Sequence, residues 1–513
     1  MAYVAPNSRI RLVNVNLDNR YINTIYFANE TAQNTYFLGL DAVELNAQSY
    51  QRHGENRCRL QVSVDAVLNK NYIMFQNTSF GSKWFYGFIT DCQYINNVTT
   101  EIEYEIDVMQ TFFFTHCVMH QCMVEREHIA TDTRGANLVA ESFDLEDYIM
   151  DDDYTYTSVA PIFALQGIAL FTTMNGSGQH ATGNMLSGVY SGAGWTIVSE
   201  TNYSALNTEL ENITNIDGGV DSIVNIVQIP WVFANEINSD PSVCPAETIT
   251  LNNVLSNLTD LDGYTPKNKK LLTYPYTFMY ATLGYDNGIT YKYEYFDTDN
   301  VEFKAELFFS STPQMDLYCS STYKEKNRYD NVISFNSFPQ CSYSIDAFRA
   351  WLAQNAIPTL TDSLGGVIGM GASALSGGNP ARGLGEVVSN ASNFISSGVM
   401  ASLKGGKLKN NVNNGMVQFA AKDFFPHIFR YSIRSDTAKR IDDYFERYGY
   451  ATNELKIPNI NSRPYWNYVK TVNSNVTGSC PISALSQINA IFNKGITFWK
   501  STGTVGDYSQ NNH

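Results

Sequence analysis

Four side chains of types that bind zinc lie within seven residues, at His116, Cys117, His120 and Cys122. Structural zinc sites use such imidazole nitrogens and thiolate sulfurs, usually four together. In an extended strand Cys117 would point away from the other three because side chains alternate between faces, and no second Cys/His pair follows at a suitable distance. We therefore expect strand residues with buried thiols and hydrogen-bonded imidazoles, with no metal and no cofactor.

Two further motifs are also expected to be turns. Gly176–Gly183 follows an apolar run, the position of a phosphate-cradling loop, but it lacks Gly-Lys-Ser/Thr. Asp297–Asn300 resembles the start of a calcium loop without its glycine and its later glutamate. No signature of a nucleophile occurs, so the sequence predicts that the protein is not an enzyme. Carboxylates paired only in space stay an open alternative, because acidic residues are plentiful.

The segment from Ala356 to Leu403 is unusual because Asp362, Arg382 and Glu386 are its only charges. Its apolar pieces are shorter or more polar than the roughly 20 residues of a transmembrane helix. Frequent glycine makes it a poor core element, since ordering glycine costs more backbone entropy. We predict a membrane-active loop, with a buried plug as the alternative. The residues expected to face lipid are Leu364, Val367, Ile368, Met370, Leu375, Leu384, Val387, Val388, Phe394, Ile395, Val399, Met400 and Leu403.

Strands must position most of the remaining residues, and the clearest prediction is a hairpin. Its first strand covers residues 83–94, its turn lies at residues 96–97, and the return strand covers residues 99–113. Because side chains alternate along a strand, apolar and acidic residues of the return strand fall on opposite faces. The apolar face carries Ile102, Tyr104, Ile106 and Val108. The acidic face carries Glu101, Glu103, Glu105 and Asp107.

The composition predicts a mainly β, multidomain protein with large subunit interfaces. At about 100 to 200 residues per domain, 513 residues leave room for several domains. Charged residues make up 16% of the chain, against about 25% in typical globular proteins. Tyr, Phe, Thr and Asn are abundant in short stretches between turn signals, which is typical of strand-rich proteins.

The net charge of −16 leaves no basic stripe to hold nucleic-acid phosphates, so contact with DNA should be non-adhesive. The N-terminal residues lack the apolar core of a signal peptide, and synthesis in a cytoplasm is expected. Eight cysteines lie far apart, which predicts reduced thiols rather than a disulfide framework.

Two amphipathic helices are predicted towards the end of the chain. Arg434–Tyr448 has an apolar face and a left-handed stop at Gly449. Ile482–Phe492 has a similar face, with Gly495 as its stop and a short aromatic strand at Ile496–Trp499.

Short motifs stand out at both ends of the chain. In about the first 130 residues they are Asn71–Asn77, Gly81–Tyr86, Tyr104–Thr111 and Val124–His128. In about the last 90 they are Tyr444–Tyr450, Pro458–Asn459, Trp466–Val469 and Phe492–Trp499. In sequence, order and spacing they resemble the tail-knob (distal tail tube) proteins of the small picovirus-type short-tailed phages, which also carry an apolar loop before the closing segment. The middle of the chain departs from that family in length and sequence.

The resemblance implies a β-rich homohexameric tube at the tip of the tail of the virion. DNA would pass through its lumen, and apolar loops would plug the tube and later enter the host cytoplasmic membrane. The implied partners are further copies of the chain, other tail proteins, that membrane and the genomic DNA. The runner-up function is a receptor-binding or cell-wall-degrading tail component.

Within this frame we predict four segments. They are an N-terminal tube-forming β domain (1–130), outer β-rich domains (131–350), the membrane-active loop (351–425) and a C-terminal segment that completes the tube (426–513). The acidic face at Glu101, Glu103, Glu105 and Asp107 is the candidate lumen surface, because like charge keeps a polyanion from adhering. The alternative is that these residues face solvent outside the tube.

Overall fold

The computed structural model describes residues 7–48, 56–174, 222–239, 244–283, 288–319 and 425–513, with short pieces between 185 and 216 and between 322 and 341. Strands make up most of the regular structure in these ranges, so the predicted mainly β class is confirmed. The chain divides into two compact units. The first comprises residues 1–145, 264–271 and 435–513, and the second residues 146–263 and 272–434. The functional division into four segments stays a prediction.

A six-stranded antiparallel sheet forms much of the first unit. Its strands are β1 (Ser8–Val13), β3 (Ala42–Gln48), β4 (Arg57–Leu60), β5 (Tyr72–Gln76), β6 (Phe85–Asn96) and β7 (Thr99–Ile106). Their order across the sheet is β3-β1-β5-β6-β7-β4. The predicted hairpin is therefore confirmed as β6 and β7, but the return strand ends at Ile106.

A second sheet of this unit combines strands from both ends of the chain. Its strands are β2 (Asn23–Ile25), β9 (Cys122–Glu127), β24 (Tyr450–Lys456), β25 (Trp466–Val472) and β27 (Ile496–Trp499). Their order is β2-β27-β25-β9-β24. A two-stranded ribbon of β8 (Cys117–Met119) and β26 (Val476–Gly478) completes the pairing of early and late segments.

The helices of the first unit are α1 (Glu30–Gly39), α2 (Phe114–His116), α6 (Ser435–Tyr448) and α7 (Ile482–Lys494), with a π-helical turn at Met109–Phe113. Both long C-terminal helices were predicted, and Ala438, Ile441 and Phe445 are buried on α6 as expected.

Two apolar clusters lie among the described residues of the first unit. The larger one contains Phe37, Tyr72, Trp466, Phe492 and Trp499, each with essentially no exposed surface, so it joins residues from both ends of the chain. The smaller one packs on the other face of the six-stranded sheet and consists of Ile10, Leu12, Cys58, Leu60, Val67, Ile73, Ile102 and Tyr104.

The described residues of the second unit form three four-stranded sheets and a two-stranded ribbon. The first sheet consists of β10 (Tyr148–Asp153), β17 (Thr277–Thr282), β18 (Gly288–Tyr291) and β23 (His427–Ile433). The second consists of β11 (Gln166–Thr172), β14 (Gly194–Ser199), β15 (Ile223–Pro230) and β22 (Gln340–Cys341). The third consists of β16 (Ala246–Leu251), β19 (Val301–Phe308), β20 (Gln314–Cys319) and β21 (Ile333–Phe335), and the ribbon of β12 (Met185–Leu186) and β13 (Val189–Tyr190). Its helices are α3 (Ala160–Phe163), α4 (Trp231–Ser239) and α5 (Val254–Asn257).

Candidate functional site

The acidic face of β7 is charge-paired rather than uniformly negative. The Arg59 guanidinium lies 2.7 Å from Glu101 and that of Arg57 lies 2.7 Å from Glu103. Glu105 accepts weaker hydrogen bonds from the Asn19 and Gln487 side-chain amides. The predicted apolar face is confirmed, since Ile102 and Tyr104 are buried in the smaller cluster.

The sequence analysis did not predict that arginines pair with these glutamates, although the sequence contains a signal for it. In β4 the residues Arg57 and Arg59 flank the apolar Cys58, which is the same alternation as in β7. The register Arg57↔Glu103 and Arg59↔Glu101 places the two polar rows directly opposite each other. Opposite charges on cross-strand neighbours stabilise such a pair of strands.

Asp107 does not belong to the acidic row of β7, in which Glu101 is buried and Glu103 and Glu105 are partly exposed. Its strand has ended at Ile106, and the side chain is buried, with 1% of its surface exposed. The carboxylate accepts hydrogen bonds from the backbone N–H groups of Met109 and Gln110, at 3.0 and 3.1 Å, so it caps the π-helical turn. The two-residue period ends with the strand at Ile106, so the prediction that Asp107 shares a face with Glu101, Glu103 and Glu105 was wrong.

Two motifs of the N-terminal part meet at this carboxylate. The Tyr72 hydroxyl donates a hydrogen bond of 2.8 Å to Asp107. Burial raises the pKa of Asp107 to about 6, although hydrogen bonds from Gln110, Tyr72 and Met109 oppose the shift. The turn that Asp107 caps also carries Thr111, whose hydroxyl accepts a hydrogen bond of 3.0 Å from the Tyr86 N–H. The motifs therefore share one buried hydrogen-bond network.

Motifs from the two ends of the chain meet at His128. Its Nε2 donates to the carbonyl oxygen of Glu446 at 3.0 Å, and its Nδ1 accepts from the backbone N–H of Tyr468 at 2.8 Å. The indole N–H of Trp466 donates to the same Glu446 carbonyl at 3.0 Å. Burial lowers the pKa of His128 to about 4, so the imidazole is neutral at pH 7. Nothing in the local sequence pattern indicated that these residues touch.

Gly449 allows α6 to end against β9. Its φ of +66° lies in the left-handed region, and a Cβ at this position would lie 2.1 Å from the carbonyl oxygen of Glu127. The predicted left-handed stop is thus confirmed, and a close backbone approach is added to the reason for glycine.

The four candidate zinc ligands have separate surroundings. His116 ends the short helix α2, with its imidazole beside the Thr115 hydroxyl. The His120 imidazole lies 2.7 Å from the Thr477 hydroxyl, Cys122 is buried, and Cys117 Sγ lies 3.7 Å from Cys480 Sγ. Within the described residues there is no group of three or more His, Cys, Asp or Glu side chains arranged to hold a metal ion.

The other predicted sites fall into two groups. Asp297–Asn300 forms a bend as expected, and the Asp299 carboxylate accepts from the backbone N–H of Ser256 and thereby fixes the short helix α5. Gly176–Gly183 and all thirteen residues expected to face lipid, between Leu364 and Leu403, lie outside the described residues.

A cleft of about 420 Å³ lies beside α6 in the first unit. Lys267, Arg440 and Arg447 contribute positive charge to its wall, and Asp443 and Glu446 contribute negative charge. The cleft thus has no strong preference for either sign of ligand charge.

Comparison with known protein families identifies the family of this chain. The family model for the C-terminal domain of the tail knob protein gp9 of Bacillus phage phi29 matches residues 244–513, more than half of the chain. The chain belongs to this tail knob family. It is therefore a structural component of a phage tail rather than an enzyme, as the sequence predicted.

Full-length tail knob relatives agree with this assignment. Tail knob protein gp9 of Bacillus phage PZA is 24% identical over an alignment of 602 residues, and that of Bacillus phage B103 is 24% identical over 606 residues. Each alignment covers 100% of both chains. A family model for the N-terminus of caudoviral major tail proteins matches residues 6–117.

The fold resembles that of a tail knob protein of known structure. The tail knob protein gp12 of bacteriophage C1 aligns with a TM-score of 0.61 over 98% of each chain, at 16% sequence identity. At this level of identity the match supports the fold alone. The full-length relatives, which align over the whole chain, confirm the resemblance noted from the short motifs.

Proposed function

We propose that this tail knob protein assembles as a homohexameric tube at the distal end of the tail, through which genomic DNA leaves the virion. The main support is the match of residues 6–117 to the N-terminus of major tail proteins. These residues supply the six-stranded sheet, which shares a core cluster with C-terminal residues such as Trp466 and Phe492. The low fraction of charged residues also favours extensive subunit interfaces.

The assembly is tested by measuring the mass of the purified protein and imaging it by negative-stain electron microscopy. We expect six copies in a ring with an open axial channel. A protein that stays monomeric at high concentration, or that forms a ring without a channel, would contradict the tube and favour a receptor-binding component.

The apolar segment 356–403 is proposed to plug the tube and then to enter the host membrane. Its composition supports this, because it combines large apolar residues with many small ones and only three charges. Small residues let neighbouring segments pack closely inside a bilayer. No helix in the described part of the chain is long and apolar enough to span a bilayer.

A liposome assay tests this membrane role. The intact assembly should release dye from liposomes, more below about pH 4 than at pH 7, since carboxyls such as Asp362 and Glu386 are mostly neutral below their ordinary pKa of about 4. A variant in which residues 356–403 are replaced by a Gly/Ser linker of equal length should form the ring without releasing dye. Equal leakage from both rings would leave the segment at most a plug.

Within the tube, the row of Glu101, Glu103 and Glu105 is proposed to line the lumen. The ion pairs with Arg57 and Arg59 reduce its net charge, so it would act as a polar, weakly acidic wall that DNA does not bind strongly. A cryo-electron microscopy map of the ring tests this, and the row should face the axis. A position on the outer surface would exclude it.

A further inference from the structure

Cys117 and Cys480 are close together although they lie 363 positions apart along the chain. Their sulfur atoms lie 3.7 Å apart. Both residues are partly exposed, whereas Cys58 and Cys122 are buried. A small reagent in solution could therefore reach this pair more readily than the two buried thiols.

Backbone pairing keeps the two thiols close. In the ribbon of β8 and β26, Cys117 pairs with Gly478, and the N–H of Ser479 donates to the carbonyl oxygen of His116 at 3.0 Å. A Cβ at position 478 would lie 2.8 Å from Cys117 Sγ. Glycine at this position thus leaves the space through which the Cys117 side chain reaches towards Cys480.

We propose that Cys117 and Cys480 form an oxidisable pair that closes into an intramolecular disulfide when the protein meets a disulfide or a comparable thiol oxidant. The inference does not depend on the hexameric tube or the membrane role. Cytoplasmic reductants would keep the pair reduced during synthesis, and the bond would form after release from the cell.

The exchange with a small disulfide such as oxidised glutathione balances in two steps. The thiolate of one cysteine attacks a glutathione sulfur, which releases one glutathione thiolate and leaves a mixed disulfide on the protein. The second cysteine, as its thiolate, then attacks the protein sulfur of that mixed disulfide and releases the second glutathione. Two protein thiols are oxidised to one disulfide, oxidised glutathione is reduced to two glutathione thiols, and the two protons lost by the cysteines pass to the glutathione thiolates, directly or through solvent.

The surroundings affect the rate and the consequence of closure. The pKa of Cys117 is raised to about 12, mainly by burial and secondly by the contact with Cys480. Because the thiolate is the reactive form, closure should be slow at pH 7. It should speed up about tenfold per pH unit as long as the small fraction of Cys117 present as thiolate limits the rate. The bond would tie β8 to the chain just before α7 and close a loop of 363 residues, which restricts the unfolded chain strongly.

The experiment treats the purified assembly with oxidised glutathione at pH 7, 8 and 9. Free thiols are then counted after denaturation, and alkylated peptides are mapped by mass spectrometry. We expect a linked peptide joining Cys117 to Cys480, a loss of two thiols per chain, and a higher thermal midpoint. Cys92→Ser, at another partly exposed cysteine, should behave like the wild type.

Cys117→Ser and Cys480→Ser should each abolish the linked peptide and the gain in thermal midpoint, with circular dichroism confirming that both variants fold. Two results would overturn the proposal. One is recovery of Cys117 and Cys480 as free thiols or as stable glutathione adducts after prolonged oxidation at pH 9. The other is a bond between chains, which a non-reducing gel would reveal as a covalent dimer.

Discussion

The Tyr72 hydroxyl donates a 2.8 Å hydrogen bond to the Asp107 carboxylate inside the larger core cluster of the first unit. Tyr72 lies on β5, and Asp107 lies just after β7. The contact therefore ties a central strand of the six-stranded sheet to the turn that leads out of it.

Tyr72→Phe should destabilise the fold by about 1–3 kcal/mol, because a buried carboxylate loses a hydrogen-bond donor without any change in its own burial. Urea unfolding at a fixed protein concentration measures the effect. Tyr94→Phe is the matched control, since Tyr94 is exposed on the hairpin and its hydroxyl donates to the exposed side chain of Asn97. Equal stability of Tyr72→Phe and the wild type would show that the contact contributes nothing.

The raised pKa of Asp107 predicts a pH dependence with a definite sign. The ordinary pKa of 3.8 is raised to about 6 in the folded chain, so the folded state binds the proton more tightly than the unfolded state. Stability from this group should therefore increase as pH falls from 6 towards 4, by on the order of 2 kcal/mol. The wild type should gain that amount of unfolding free energy relative to Asp107→Asn as the pH falls, because asparagine does not titrate. A difference that is flat between pH 4 and 7 would contradict the prediction.

His128 should act in the opposite direction. Its pKa is lowered from 6.5 to about 4, so the unfolded state binds the proton more tightly. Stability should be lost as pH falls from 6.5 towards 4, by on the order of 3 kcal/mol. His128→Gln is the comparison, because its amide can replace both hydrogen bonds and does not titrate. The wild type should lose stability relative to this variant on acidification, and parallel curves would exclude the buried neutral imidazole.

Gly449→Ala should cost about 2–4 kcal/mol, because the methyl group would clash with the Glu127 carbonyl in addition to the strain of a positive φ. Gly506→Ala is the control that measures the strain of a positive φ without the clash. Gly506 also has a positive φ, of +87°, but a Cβ there would meet nothing within 4 Å. Its cost should stay near 1 kcal/mol. Equal costs, measured by urea unfolding, would show that the close approach to Glu127 is unimportant.

Local patterns in the sequence were enough to predict several elements. The period of two placed Ile102 and Tyr104 on a buried face, and the apolar stripe with its glycine stop predicted the helix Ser435–Tyr448 to within one residue. Both predictions depend only on the spacing of residues close in sequence. The short motifs likewise indicated the tail knob family, which the family model and the full-length relatives confirm.

Tertiary structure alone decided which of these elements meet. The charge of Glu101 is paired by Arg59 on β4, the burial of Asp107 depends on the end of β7, and His128 binds residues more than 300 positions away. The same holds for Cys117 and Cys480. Side-chain periodicity reports which face of an element is apolar, but it carries no information on the distant segment that covers that face. That choice follows from the packing of both ends of the chain into one core.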